Sequence, residues 1–186
     1  AAKYEKDVYD SEIEITLKNY LIRWLQEICK DKLAPRTYND YAGVINNHII
    51  PYMGNLKLQD IKPHHIIKYQ NDKLKSGKLK SPGGLSKRTV QNHHRILSKA
   101  LSDAIIPYRL LENNPCRDVK APSPQKTEIN PFSEKEIKLI LDSINEFYLN
   151  AIVFVDLYTG MRRGELAALK FNDINFSNQE IYIQRS

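Results

Sequence analysis

A mainly α-helical chain in two lobes is what the sequence predicts, and three observations carry that reading. Apolar residues recur at three-and-four spacing through the first two thirds, a proline-rich stretch, APSPQKTEINP, interrupts the pattern, and the last residues alternate around a turn as a β-hairpin does. At 186 residues and 41% hydrophobic content the chain can bury a core, and it stands at the border between one domain and two.

The elements follow in order. Leu17, Tyr20, Leu21, Trp24, Leu25 and Ile28 form the apolar stripe of a first amphipathic helix. Pro35 sits where a first-turn proline is tolerated, and Tyr38, Tyr41, Ile45 and Ile49 share one face of a second helix, which Pro51 and Gly54 are expected to end. Pro63 opens a third, with Ile66, Ile67, Gln70 and Leu74 inward, running into the lysine-rich loop KSGKLKSPGG. Ser86 is the expected N-cap of a fourth, burying Val90, His94, Leu97, Leu101 and Ala104. The turn YRLLENNP closes this lobe.

Past the prolines, Ser133 and Glu136 have the spacing of a capping box and start a helix through Ile137, Ile140 and Leu141. The segment FYLNAIVFVDLYT is apolar on most sides, which predicts deep burial. Against that, the 60 residues from 127 to 186 make a marginal core, so the apolar side chains of this segment are expected to lie partly exposed or covered by a neighbouring molecule. Gly160 can take the left-handed conformation that stops this helix and lets Met161 to Lys170 begin another. FNDINFSNQEIYIQ then reads as a hairpin around SNQ. No internal repeat is visible, and the first ten residues carry no strong signal.

Charge is uneven. Lys+Arg against Asp+Glu count 5 to 6 in residues 1–30, 17 to 7 in 31–126 and 6 to 9 in 127–186, so the middle carries +10 and the flanks −1 and −3. Charge concentrated in a folded segment suits a polyanion, with nucleic acid the commonest partner, although a solvated lysine-rich surface fits the charge alone equally well. No long apolar run or charged leader followed by an apolar stretch is present, and the mean hydropathy is −0.52, so neither a membrane span nor a signal peptide is expected. Cys29 and Cys116 are far apart and belong to no CxxC pair, which fits free thiols in a reducing cytoplasm, a single disulfide being the alternative. The neighbours His64-His65 and His93-His94 diverge on a helix and make poor metal sites, so no metal or other cofactor is expected.

Two sets of residues suggest chemistry. In SKRTVQNHHRILSKAL the apolar face takes Val90, Leu97 and Leu101, leaving Lys87, Arg88, Gln91, Asn92 and Arg95 free to reach a groove or its phosphates. Arg36, Thr37 and Asn39 stand similarly on the second helix. In TGMRRGEL, residues 159 to 166, an arginine fork beside a glycine turn matches phosphate oxygens two at a time, and Glu165, three residues beyond Arg162, is near enough on a helix to hold it. Arg163 points about a quarter turn or more away and reads as a phosphate clamp or plain surface charge.

In sequence order, PRTYNDY, IIPYMGNLKLQDI, SKRTVQNHHRILSKAL, ENNP, FSEKEIKLIL and TGMRRGELAALKFNDINF resemble the tyrosine recombinases, the phage integrase family of site-specific DNA recombinases. The resemblance covers nearly everything after residue 10. It implies a helical SAM-like core-binding domain followed by a truncated α+β recombinase catalytic domain. The implied limits are a tail at 1–12, the DNA-binding domain at 13–119, a linker at 120–131 and the start of the catalytic domain at 132–186. It implies double-stranded DNA as partner, an oligomer of the full-length protein on DNA, a cytoplasmic location and strand exchange through a phosphotyrosine. Arg162 corresponds to the first catalytic arginine and Glu165 to its acidic support.

The family's hairpin lysine, His-x-x-Arg pair, further His or Trp and nucleophilic tyrosine cannot be placed among these residues, so this chain alone is expected to be inactive. A DNA-binding regulator without recombinase chemistry is the alternative. A helical protein-interaction module would need an exposed apolar patch in place of a basic groove.

Overall fold

The computed structural model describes residues 15–125, 128 and 130–185. The expected tail at 1–12 and the start of the helical domain at Ile13 lie outside them. The chain divides into two compact units, Ala1–Lys126 and Thr127–Ser186.

In the first unit, helix α1 spans 17–32. The Thr16 hydroxyl caps it by accepting from the Asn19 N–H at 3.3 Å. Leu17, Tyr20, Leu21, Trp24 and Leu25 are buried as their spacing demands, but Cys29 takes the next core position and Ile28 only flanks it. The cause is a π turn over Leu25–Cys29, in which the Lys30 N–H bonds Leu25 O: one extra residue in the turn advances the stripe by one.

Helix α2 spans 35–53, with Pro35 in its first turn and Tyr41, Ile45, Ile49 and Met53 inward. Pro51 does not end it. A second π turn, Ile45–Ile49, directly precedes the α-helical turn Ile50–Met53, so Pro51 stands at the start of a restarted segment, where its missing N–H costs little. Gly54 caps the helix. Leu17 N–H then donates to Leu56 O, and Leu58 N–H to Ile15 O, both at 2.9 Å, lacing the entry of α1 to the chain leaving α2.

Helix α3 is Pro63–Ser76 and helix α4 is Lys87–Ile105. In α3 the inward residues are Ile66, Tyr69 and Gln70, while Ile67 is 46% exposed and Leu74 half-buried. Positions 66, 69, 70 and 73 share one face at three-and-four spacing, and Ile67 is about 100° away from Ile66. In α4 His93, not His94, enters the core, together with Val90, Ile96, Leu97, Ala100, Leu101 and Ala104. The stripe 90-93-97-100-104 has the period of a packed helix, and His94 lies beside it, its Nδ1 2.9 Å from Gln70 Nε2.

Buried and part-buried polar contacts lock α1 to α4 and to the chain just after it. Trp24 Nε1–H donates to Asp103 at 2.8 Å, the Tyr20 hydroxyl to Ala100 O, and the Tyr108 hydroxyl to Glu27 at 2.7 Å. Asn114, from the ENNP turn, donates to Ser98 O and the Ser102 hydroxyl at 2.8 Å and accepts from the Cys116 N–H at 2.9 Å, so the chain leaving the lobe is stapled to α4. Both cysteines are buried free thiols.

In the second unit helix α5 is Glu134–Ser143, opened by the expected capping box: Glu136 accepts from the Ser133 N–H at 2.8 Å, and the Ser133 hydroxyl accepts from the Glu136 N–H at 3.4 Å. Helix α6, Phe147–Thr159, stops at Gly160, whose φ of 63° is left-handed. Helix α7 is Arg163–Ala168, shorter than the expected 161–170. Strands β1, Ile174–Asn175, and β2, Glu180–Ile181, pair antiparallel in the expected hairpin.

The deep burial that composition suggested for α6 does not occur. Phe147, Tyr148 and Tyr158 are 80%, 81% and 77% exposed, and no residue of α6 is buried. An all-round apolar helix needs neighbours on every side, and α5 and α7 do not supply them.

Candidate nucleic-acid interface

Two places carry the residues singled out from the sequence. On α4, Arg88, Gln91, Asn92 and Arg95 recur at three-and-four spacing on the face opposite Val90, His93 and Leu97. The core fixes their direction by claiming the other side of the helix. With Ser86 and Thr89 they line one shallow concavity of about 600 Å³. Ser86 and Thr89 are not among the contacts expected from the sequence, although the cap position and the residue three beyond it signal that they share this end of the helix. Their hydroxyls are 2.9 Å apart.

Arg95 Nη2–H donates to Asn92 Oδ1 at 2.9 Å, which orients the carboxamide and leaves its NH2 without an intramolecular acceptor among the described residues. Arg88, Gln91 and Arg95 are exposed, as is Lys87 at the first helical position, which does not line the concavity. Arg36 and Asn39 are exposed and Thr37 half-exposed on the first turns of α2; none of the three lines it either.

The α4 face rests on a buried polar layer. His93 Nδ1 is 2.9 Å from the Tyr69 hydroxyl, its ring lies 4.7 Å from that of His48 on α2, and Lys73 stands over the Tyr69 ring at 5.6 Å. Burial first, then His48 and Lys73, push the His93 imidazole down to about 4. It is therefore a neutral core histidine.

The second place is the N-terminus of α7. Arg162 is the residue before its first turn and adopts an extended backbone, φ −67° and ψ 147°. Glu165 reaches back to it twice: Oε2 accepts from the Arg162 N–H and Oε1 from its Nη1–H, both at 2.9 Å. The carboxylate is held below the usual range, first by that backbone N–H and then by the guanidinium hydrogen bond. The Arg162 side chain is 87% exposed and that of Glu165 only 16%, so the anion anchors while the cation projects. Arg163 is exposed beside it.

Downstream, the buried Asp173 carboxylate accepts from the Lys170 N–H at 2.9 Å and from Arg185, and Tyr182 N–H donates to Asp173 O at 2.8 Å. Asp173, just before β1, ties the chain after α7 to the segment that leaves β2. Its place in the turn FND signals a helix-end cap, whereas its bond to Arg185 has no local signal.

Comparison with known proteins agrees with these features. Residues 16–74 match the phage integrase N-terminal SAM-like domain. A tyrosine recombinase XerC-like protein of Caldanaerobacter subterraneus subsp. tengcongensis is 30% identical over 92% of the chain and 44% of its own length. The chain is thus similar to the tyrosine recombinases over nearly all of its length.

Further relatives are an integrase of Saccharopolyspora erythraea, 24% identical over 92% of the chain and 38% of its own length, and the ICEBs1 integrase of Bacillus subtilis, 26% identical over 85% and 41%. The chain thus spans less than half the length of these recombinases. Among solved structures, a lambda integrase dimer bound to a COC′ core site superimposes with a TM-score of 0.73 at 20% identity, over 94% of this chain and 46% of that one. The Tn1549 transposon integrase in complex with circular intermediate DNA gives 0.70 at 18% identity, over 91% and 54%. At those identities the likeness is one of fold. It is the mainly helical fold expected, with the beginning of an α+β domain after it.

Proposed function

We propose that this chain is the DNA-binding part, with the opening of the catalytic domain, of a site-specific tyrosine recombinase acting in the cytoplasm. The domain limits are 13–119 for the DNA-binding domain, 120–131 for the linker and 132–186 for the catalytic segment. The observation that carries the reading is the α4 face. Six polar or cationic residues line one concavity there, and none of the described residues lining it is acidic.

Arg88 and Arg95 supply paired donors for phosphates or guanine edges, Gln91 and Asn92 can pair with adenine edges, and Lys87 contacts the backbone. Arg36, Thr37, Asn39 and Arg163 extend the contact to further phosphates. Arg162 stabilises the charge that builds on the nonbridging oxygens of the scissile phosphate, with Glu165 holding the guanidinium rigid. These 186 residues supply one cation of the several the reaction needs, so the chain binds DNA but does not cut it. The solved relatives include a lambda integrase tetramer bound to a Holliday junction, which supports a higher-order assembly of the whole protein on DNA.

The test is a salt titration of duplex binding. Each phosphate that is no longer neutralised should lower the slope of log K against log salt by about 0.9, so Lys87→Ala/Arg88→Ala/Arg95→Ala should lower it by about 2.7. Equal slopes for the parent and the triple variant would exclude this face as the DNA-binding surface.

A further inference from the structure

The thirty residues from 73 to 102 contain eight Lys and Arg and not one Asp or Glu. Half of those cations lie ahead of α4, at the end of α3 and in the loop that joins the two helices, outside the face already described. Lys78 and Lys80 flank the exposed Leu79 in the middle of that loop, and neither makes an ion pair among the described residues.

The loop has a fixed shape. Lys78 N–H donates to Gly83 O at 3.1 Å, closing the tip, and Leu85 N–H donates to Lys73 O at 2.8 Å, returning the chain to the end of α3. Two glycines make the fit possible. A Cβ at Gly84 would stand 1.6 Å from Leu74 O, and one at Gly77 would stand 2.4 Å from Lys73 O, so the backbone closes on itself with no room for a side chain. Gly83 has φ of 115°, which other residues rarely adopt. Leu85 then leads directly to Ser86, the cap of α4.

We propose that this loop is a second, pre-shaped phosphate clamp, in which Lys78 and Lys80 grip the backbone of duplex DNA flanking the stretch met by Arg88 and Arg95. The inference rests on the DNA-binding reading of α4 and deepens it. Cations without an ion-pair partner among the described residues, on a stretch that carries no acid from residue 73 to 102, keep their attraction for a polyanion. A loop already closed by its own hydrogen bonds loses little conformational entropy on binding, so more of that attraction appears as affinity. The fixed tip also sets where along the backbone its two charges fall, and phosphate contacts of this kind set the register of the helix that reads bases.

The experiment uses the 186-residue chain and a fluorescein-labelled random-sequence duplex of about 30 base pairs, followed by anisotropy from about 50 to 200 mM KCl. Lys78→Ala/Lys80→Ala should lower the salt slope by about 1.8, while Lys18→Ala/Lys30→Ala, on α1, should leave it unchanged. Gly84→Ala keeps every charge but cannot keep the loop, and should weaken binding roughly tenfold. Circular dichroism establishes that each variant is folded, and if Gly84→Ala is not, the lysine pair decides alone.

An unchanged slope for Lys78→Ala/Lys80→Ala, or an equal reduction from the α1 pair, overturns the clamp. Gly84→Ala binding like the parent overturns its pre-shaped character. Arg88→Ala/Arg95→Ala separates the two claims: a reduced slope there with none at the loop defeats the clamp alone, and a reduced slope at neither defeats the DNA-binding reading as well.

Discussion

Acidifying from pH 7 to pH 5 should destabilise the first unit through His93. Its imidazole is buried among α2, α3 and α4, faces the His48 ring and Lys73, and meets the Tyr69 hydroxyl at 2.9 Å. Its folded pKa is pushed down to about 4 from 6.5, so between those values the unfolded chain takes up a proton that the folded one refuses. Stability is therefore full above pH 6.5 and falls as the pH drops toward 4, by about 3 kcal/mol over the whole window and about 2 kcal/mol by pH 5. His48 and His94 are shifted the same way by burial and add to the loss. Carboxylates held low, such as Glu27 through the Tyr108 hydroxyl, act only below their ordinary range near 4.5, so this window isolates the histidines. Urea unfolding followed by Trp24 fluorescence at each pH measures the effect. His93→Asn keeps a nitrogen or oxygen near the Tyr69 hydroxyl but removes the titrating group, and should flatten the pH dependence. Stability equal at pH 7 and pH 5, or an undiminished slope in His93→Asn, would refute the reasoning.

Other outcomes follow from the same structure. Asn114→Ala leaves the Cys116 N–H and two serines of α4 without their partner and should cost about 2 kcal/mol or more, read as a lower urea midpoint at unchanged m-value; a shift within error would mean that water replaces the amide. Amides of α6 should exchange with deuterium faster than those of α1 and α4, because its apolar side chains lack cover; protection equal to α4 would show that sixty residues suffice for a closed core. On a nicked suicide substrate the 186-residue chain should form no phosphotyrosine adduct, whereas a longer protein bearing the family's His-x-x-Arg and nucleophile should; in that protein Arg162→Lys should remove most of it, since an ammonium loses the two-pronged grip. An adduct from the 186 residues would relocate the active site.

What the sequence determined by itself is whatever a few neighbouring residues decide. The caps at Ser86 and Ser133 with Glu136, the left-handed Gly160 and the hairpin around SNQ were legible because each is a contract between residues within one turn. The outward direction of Arg88, Gln91 and Arg95 was legible as the complement of an apolar stripe, and the Arg162–Glu165 contact as an i, i+3 pair. Tertiary structure decided the rest. Two π turns moved the core from Ile28 to Cys29 and carried α2 past Pro51, because packing against neighbouring helices outweighs the small cost of a widened turn. Between His93 and His94, or Ile67 and Tyr69, residues that differ in direction on the helix compete for one inward position. The facing helices settled it by offering His93 a hydroxyl and a ring, and by leaving Ile67 outside. The exposure of α6 has the same origin, since an apolar helix specifies its need for partners and only the surrounding chain supplies them.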